Sequence, residues 1–174
     1  MLAAVAGVGL ALWPVEREKA AAGTAVDARR YLMQRAMLAE ALENGRAARE
    51  VVQEKDFNAF LAHHVKDGGS EGAWAARYRG AGVRFGEGVG EAWVEMARGP
   101  FRMSLEWTWS TEDGTLRATG ARFGHLPLPG AACRWYAGAQ KKLWDAFGEE
   151  RRVLEGAARV ESREGRLAVR VEGR

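Results

Sequence analysis

The sequence predicts an α+β fold: a curved antiparallel β-sheet with helices packed on one face, preceded by an N-terminal hydrophobic helix. Apolar residues recur at helical spacing in residues 28–65 and again after residue 130. In residues 82–123 the period changes to two, and residues 101–110, FRMSLEWTWS, alternate apolar with polar side chains. Turn signals between these short strands favour antiparallel pairing.

The chain opens with an uninterrupted run of apolar and glycine residues from Leu2 to Trp13, closed by Pro14. Fourteen helical residues extend roughly 21 Å, which is less than the roughly 30 Å hydrocarbon core of a bilayer. Three interpretations are open: a membrane anchor whose first residues are missing, a cleaved signal peptide, or a core helix. We favour the anchor, because the run has no polar face and charged residues separate it from the small residues 20–22.

These features divide the chain into residues 1–14 as a membrane anchor or signal segment, residues 15–26 as a tether, and residues 27–174 as a single α+β domain. Apolar residues form 47% of the chain and charged residues 28%, which excludes bulk disorder. The net charge is only +3 and basic residues are interleaved with glutamates, so we expect no nucleic-acid partner. Cys133 is the only cysteine, which excludes an intrachain disulfide.

The first two helices are predicted on either side of a short strand over residues 49–53. Asp27 is expected to cap a helix over residues 28–43, which Asn44-Gly45 ends. The second helix covers residues 54–65. The apolar stripe of the first helix is Tyr31, Leu32, Met33, Met37, Leu38 and Leu42, and that of the second is Phe57, Phe60, Leu61 and His64.

The predicted sheet begins with short strands or loop at residues 74–78 and 82–87. Strands over residues 91–98 and 100–111 follow, with a break or bend between them at Gly99-Pro100. Asp113-Gly114 then predicts a hairpin turn into a third strand over residues 116–123. In that strand Gly120 marks a slip in the apolar alternation, which indicates a bulge.

The last elements are a helix and a hairpin. Residues 126–129, LPLP, cannot form a central strand because prolines lack the donors of a ladder. Residues 130–147 follow helical spacing. Residues 157–162 and 166–172 then predict a terminal hairpin about Glu164-Gly165.

The histidines and the cysteine do not indicate a metal site or a nucleophile, and we expect neither a cofactor nor an enzyme. His63 and His64 are neighbours on a helix, where side chains point about 100° apart, so they cannot bind one metal ion. His125 is the only other histidine. Cys133 has no base placed beside it by the sequence, so we interpret it as a small buried hydrophobe.

Glycines and carboxylates in the strands also lack catalytic patterns. The glycines of residues 80–90 do not open a helix with the phosphate-loop Lys-Ser/Thr, so we expect them to relieve a bent sheet edge. Glu91, Glu95 and Glu106 alternate with apolar neighbours, as residues of a solvated sheet face do.

Aromatic residues are the most informative side chains in the chain, which has seven tryptophans. Two interpretations of the apolar strand face are open: it packs in the core, or part of it is an open trough that accommodates an acyl chain or another apolar ligand. The second interpretation selects seven ligand-contacting residues on the strand and the late helix. They are Phe101, Met103, Leu105, Trp107, Trp109, Trp135 and Trp144.

Two short stretches, Asp56–Ala62 (DFNAFLA) and Phe123–Pro129 (FGHLPLP), resemble motifs of the YpmS-like and YceB-like proteins. Those are small bacterial membrane-anchored proteins of unknown function. The resemblance implies an anchored, extracytoplasmic domain with a TULIP-like (tubular lipid-binding) sheet wrapped on a helix. It supplies no catalytic residue. Within these stretches, Asn58 is expected to hydrogen-bond a neighbouring backbone group on the first turn of its helix.

We therefore expect a membrane-anchored, extracytoplasmic, non-enzymatic domain that binds a lipid or another apolar ligand on its sheet face. The first alternative is an assembly or scaffold component of an envelope complex that docks a protein partner. A groove lined by Trp107 and Trp109 favours lipid, whereas a flat exposed patch favours a partner. The second alternative is an unrecognised hydrolase, which Glu95 or Glu106 in a deep pocket beside a histidine would indicate.

Overall fold

The computed structural model describes residues 23–64, 77–129 and 147–173. These residues form three helices and two antiparallel sheets, which confirms the α+β class and corrects the single curved sheet to two. The helices are α1 (Ala25–Glu43), α2 (Glu54–His64) and α3 (Gly148–Gly156). The strands are β1 (Ala48–Gln53), β2 (Arg77–Phe85), β3 (Val89–Arg98), β4 (Phe101–Ser110), β5 (Arg117–Phe123), β6 (Leu126–Pro127), β7 (Arg159–Arg163) and β8 (Arg166–Val171).

The smaller sheet joins the beginning of the described chain to its end, in the strand order β1-β8-β7. β7 and β8 form the predicted terminal hairpin, which turns through Gly165 with a φ of 70°. β1 pairs antiparallel with β8 and places Val52 opposite Leu167. The sequence pattern does not predict this pairing, because strands so distant along the chain share no turn signal.

The larger sheet is a meander with the order β2-β3-β4-β5-β6, in which each strand pairs with the next along the chain. The predicted break at Gly99 is a hairpin turn with a φ of 57°, and the predicted turn at Gly114 has a φ of 73°. Positive φ favours glycine at both positions. β6 is two residues long and lies at the edge of the sheet, where its proline removes no shared ladder donor.

Two bulges bend the larger sheet. The ladder between β4 and β5 shifts register beside Gly120, which confirms the predicted bulge. The ladder between β2 and β3 shifts between Tyr78 and Gly80. Residues 77–85 nevertheless form one continuous strand, which corrects the prediction of two interrupted pieces.

A capping box begins α1 three residues before the predicted start. The N-cap is Thr24 rather than Asp27, which corrects the predicted cap. Thr24 Oγ1 accepts a hydrogen bond from the Asp27 backbone N–H at 3.3 Å, and Asp27 Oδ2 accepts one from the Thr24 backbone N–H at 2.8 Å. This reciprocal pair satisfies two donors that a bare helix end leaves unpaired. Asn44 is the C-cap, and Gly45 follows with a φ of 61°, as the sequence predicts.

The capping box makes stability depend on acid pH. Hydrogen bonds from the backbone N–H and the hydroxyl of Thr24 lower the pKa of Asp27 from its ordinary value of 3.8 to about 2. Because the folded-state pKa lies below the unfolded-state value, the stabilisation is complete above pH 3.8 and is lost as pH falls to about 2. Asp27→Asn is therefore expected to be less stable than the natural chain near neutral pH, with the difference vanishing toward pH 2. Denaturant unfolding across this range measures it.

The control for this prediction is Asp113→Asn, because Asp113 is an exposed carboxylate in an ion pair with Arg117. Surface pairs of this kind contribute little to stability. A stability difference between Asp27→Asn and the natural chain that stays constant from neutral pH to pH 2 would contradict the assignment.

The buried side of α1 differs from the predicted stripe. Tyr31 and Leu38 are buried, as expected, but Met33 and Met37 are 66% and 54% exposed. At about 100° per residue, positions 33 and 37 lie on the opposite side of the helix from position 31. The predicted stripe therefore included residues from two faces of the helix, and only the face that carries Tyr31 and Leu38 packs against the rest of the protein.

α3 has no counterpart in the sequence prediction. Its residues, GEERRVLEG, are mostly polar, so no apolar period is visible. Val153 is nevertheless 4% exposed, and Glu150 is 8% exposed. The helix predicted over residues 130–147 lies outside the described residues except for Phe147, which precedes α3.

Backbone hydrogen bonds and two side chains tie the two sheets together. Gly165 in the β7–β8 turn donates to the Phe85 carbonyl at 2.9 Å and accepts from the Glu54 backbone N–H at 2.9 Å. Ser162 Oγ donates to the Val89 carbonyl at 2.8 Å, and the Ser162 backbone N–H donates to Thr111 Oγ1 at 2.9 Å. The edges of the sheets are thus joined by bonds that no local sequence pattern indicates.

Candidate ligand cavity

An apolar cavity of about 510 Å³ is bounded by residues of all three helices and of both sheets. Its wall includes Leu61 of α2, Val83 of β2, Val153 of α3 and Val169 of β8, which also belong to the main hydrophobic core. Small-molecule sites in proteins are typically clefts of about 300–1,000 Å³ with mainly apolar walls. The cavity therefore has the size and the lining of a ligand site.

The tryptophans of β4 are among the aromatic residues of the wall. Trp107 and Trp109 both line the cavity and are half-buried. Trp109 contacts Phe85 of β2, with ring centroids 6.4 Å apart. The structure thus brings together two of the seven residues predicted to contact a ligand. Trp135 and Trp144, which the sequence assigns to the same face, lie outside the described residues.

The other predicted ligand residues of β4 occupy different environments. Leu105 is 1% exposed and is not part of the cavity wall. Phe101 begins the strand and is 52% exposed, and Met103 is half-buried. The alternation predicts that these side chains share one face of β4. How deeply each side chain is buried depends on which other elements cover that part of the sheet.

A glycine opposite Trp109 accommodates the indole ring. Gly90 of β3 pairs with Trp109 of β4, and a Cβ atom at Gly90 would lie 2.4 Å from Cζ2 of the ring. Gly82 and Trp93 form a second pair of the same kind between β2 and β3, on the other face of the sheet. Both glycines therefore make space for a neighbouring indole ring. The sequence predicts a different role for them, the relief of a bent sheet edge.

Gly90→Ala is expected to lower the free energy of unfolding by about 1–3 kcal/mol, because the added methyl group displaces the Trp109 ring from the cavity wall. Urea unfolding of the two proteins measures the difference. Gly80→Ala is the matched control, since a Cβ atom there meets nothing within 4 Å. That variant should be as stable as the natural chain or slightly more stable. Equal effects of the two substitutions would contradict the contact.

A polar cluster interrupts the apolar wall where α1 meets α3. Tyr31 Oη donates to Glu150 Oε1 at 3.2 Å, and an Arg35 guanidinium nitrogen donates to the same oxygen at 2.8 Å. A second Arg35 nitrogen lies 3.4 Å from Glu149 Oε2. Tyr31, Arg35 and Glu150 all line the cavity. The cluster gives the mainly apolar wall a buried polar region, whereas the other charged lining residues, Arg151 and Glu155, form an exposed ion pair.

The environment of the cluster shifts two of its pKa values. Burial, and then the charge of Glu150, raises the pKa of Tyr31 well above its ordinary value, so the phenol keeps its proton. Burial alone would lower the pKa of Arg35, but the hydrogen bond and the charge of Glu150 outweigh it and raise that pKa. Tyr31 is therefore neutral and Arg35 is charged.

Three polar atoms on cavity-lining residues have no hydrogen-bond partner among the residues that the structure describes. They are Glu150 Oε2, which is an acceptor, and Arg35 Nε and Trp109 Nε1, which are donors. Buried polar atoms in proteins nearly always have a partner, and an unpaired one calls for an explanation. The sequence does not indicate this region, because Tyr31 and Glu150 are distant along the chain and α3 carries no recognisable pattern.

The residues considered for catalysis do not converge. Glu95 is exposed and Glu106 is half-buried, and neither lines the cavity. His63 and His125 are exposed. Within residues 23–64, 77–129 and 147–173, no three His, Cys, Asp or Glu side chains form a group that could hold a metal ion. Cys133 lies outside those ranges.

Asn58 has a different role from the one that the sequence indicates. Its side chain donates to the Val83 carbonyl at 3.1 Å and accepts from the Val83 backbone N–H at 2.8 Å. The partner is a strand 25 residues along the chain, not the neighbouring backbone of the same helix turn. Asn58 therefore pairs with the outer edge of β2 and positions α2 beside the cavity.

None of the helices formed by the described residues is long and apolar enough to cross a membrane. The predicted anchor, residues 1–14, lies outside those residues. Comparison of the chain with protein-family models, with curated proteins and with solved structures finds no match.

Proposed function

We propose that this chain is a non-enzymatic domain that binds a lipid or another apolar small molecule in the cavity. The observation that carries the proposal is the chamber of about 510 Å³ with Trp107 and Trp109 in its wall. Aromatic rings and aliphatic side chains remove apolar ligand surface from water, which is the main driving force for binding of this kind. Among the described residues at the cavity, no arrangement favours the hydrolase alternative.

Attachment to a membrane through residues 1–14 and an extracytoplasmic location are further parts of the proposal. They derive from the apolar run Leu2–Trp13 and from the resemblance to the YpmS-like and YceB-like proteins. An anchor beside a lipid source would shorten the path by which a poorly soluble ligand reaches the cavity. The TULIP-like architecture also stays a proposal.

Native mass spectrometry of the full chain, purified from a lipid-containing cell, tests the proposal. The expected result is a reproducible added mass that dissociates as a lipid or another apolar compound. Ala92→Leu extends a side chain into the cavity and is expected to reduce the bound fraction severalfold. Ala158→Leu is the matched control, because Ala158 is exposed and does not line the cavity.

A bare chain mass in the natural protein would contradict the proposal. The same result would favour the alternative that the chain docks a protein partner. An added mass that is equal in the natural chain, Ala92→Leu and Ala158→Leu would place the ligand outside the cavity and would also contradict the proposal.

A further inference from the structure

The unpaired polar atoms in the cavity wall restrict the chemistry of the ligand, an inference that rests on the proposed function. Glu150 is 8% exposed and lines the cavity, and its Oε2 atom has no partner among the described residues. Its other oxygen is occupied by Tyr31 and Arg35. A carboxylate oxygen can only accept a hydrogen bond, so a ligand that completes this site must supply a donor.

The same wall also requires an acceptor. Arg35 Nε and Trp109 Nε1 are donors without a partner in the described part of the chain. An alkyl ammonium group has donors only and would leave both of them unpaired. A fatty-acid carboxylate has acceptors only and would leave Glu150 Oε2 unpaired.

Charge disfavours the carboxylate further. The Arg35 guanidinium lies 2.8 Å from Glu150 and 3.4 Å from Glu149, so two carboxylates share one cation. A third carboxylate beside them would be repelled, and the burial of Glu150 strengthens its part of that repulsion. A hydroxyl group carries no charge and is both a donor and an acceptor.

We propose that the polar cluster of Tyr31, Arg35 and Glu150 selects an uncharged apolar ligand with a hydroxyl head group, of the class of long-chain alcohols, acylglycerols or sterols. The hydroxyl donates to Glu150 Oε2 and accepts from Arg35 Nε or Trp109 Nε1. The alkyl part of the ligand lies against Trp107 and the aliphatic wall.

Three probes that share one alkyl chain, dodecanol, dodecanoate and dodecylammonium, test the head group, with methyl dodecanoate as a probe that has no donor. Their affinities for the full chain are measured by displacement of a fluorescent apolar dye. Dodecanol is expected to bind about tenfold more tightly than the other three. Equal affinities, or a preference for dodecanoate, would overturn the inference and leave the proposed function standing. Failure of all four probes to bind would overturn both.

Two variants connect the preference to the named atoms. Glu150→Gln keeps an acceptor for Tyr31 and removes the charge, so it is expected to reduce the preference for dodecanol over dodecanoate by about tenfold. Glu172→Gln is the matched control, since Glu172 is exposed, does not line the cavity and takes no part in the Arg35 ion pairs, and its preference should equal that of the natural chain. An unchanged preference in Glu150→Gln would overturn the assignment.

Trp109→Phe gives a second test that leaves the ion pairs intact. It removes the indole N–H and keeps an aromatic ring in the wall. Dodecanol affinity is expected to fall by about fivefold, the effect of one hydrogen bond, while the affinity of dodecane, which has neither donor nor acceptor, falls less. Equal losses for the two probes would overturn a role for Trp109 Nε1 and limit the acceptor contact to Arg35.

Discussion

Replacing Asn58 with leucine is expected to lower the free energy of unfolding by about 2–4 kcal/mol, even though the two side chains have similar size. Asn58 is 5% exposed and makes two hydrogen bonds to the backbone of Val83, which is itself 5% exposed. β2 is the edge strand of its sheet, so no other described strand can satisfy those groups. Leucine would leave a buried N–H and a buried carbonyl without partners.

Urea unfolding followed by circular dichroism measures this loss. Glu54→Gln is the control, because the Glu54 carboxylate accepts from the Phe85 backbone N–H at 2.9 Å and a glutamine retains an acceptor there. That variant should lose less than about 1 kcal/mol. A loss in Asn58→Leu that is no larger than the loss in Glu54→Gln would show that water replaces the asparagine at the strand edge.

Replacing Leu105 with alanine is expected to lower the free energy of unfolding by about 2–5 kcal/mol, because it leaves a void in a region that cannot fully collapse. Leu105 is 1% exposed and lies between Val94 of β3 and Phe123 of β5 in the ladder. It was predicted to contact a ligand, but it is not part of the cavity wall. Its truncation should therefore affect folding far more than ligand binding.

Thermal and urea unfolding test this second prediction, with Leu116→Ala as the control. Leu116 is 38% exposed and lines the cavity, so its truncation should lower stability by less than about 1.5 kcal/mol. We expect Leu105→Ala to change mainly the free energy of unfolding and Leu116→Ala to change mainly the affinity for the ligand. A stability loss below about 1 kcal/mol in Leu105→Ala would mean that this part of the sheet repacks readily.

The sequence predicts those features of the fold that depend on neighbouring residues. The glycines at positions 45, 99, 114 and 165 all have positive φ and all lie at predicted turns or helix ends. The alternation predicts a strand over residues 100–111, which is one residue longer at each end than the observed β4. Turn chemistry and strand alternation act over a few residues, so each can be recognised without the rest of the chain.

The candidate site was predictable only in its aromatic half. Trp107 and Trp109 follow from the alternation of β4, because residues two apart on a strand share a face. Glu150 did not, since a glutamate in a polar segment resembles any solvated helix residue. Its burial depends on Tyr31 and Arg35 of α1, which lie 119 and 115 residues earlier in the chain.

The α+β class, the turns, the β5 bulge and the ends of most elements follow from the sequence alone, because they depend on backbone sterics and on the local hydrophobic period. Three features are visible only in the folded structure: the division of the strands into two sheets, the pairing of Asn58 with a distant strand edge, and a Glu150 oxygen in the cavity wall without a partner among the described residues. Each of these depends on contacts between segments far apart along the chain. Burial and hydrogen-bond satisfaction are properties of the assembled core, so residue type and spacing do not contain them.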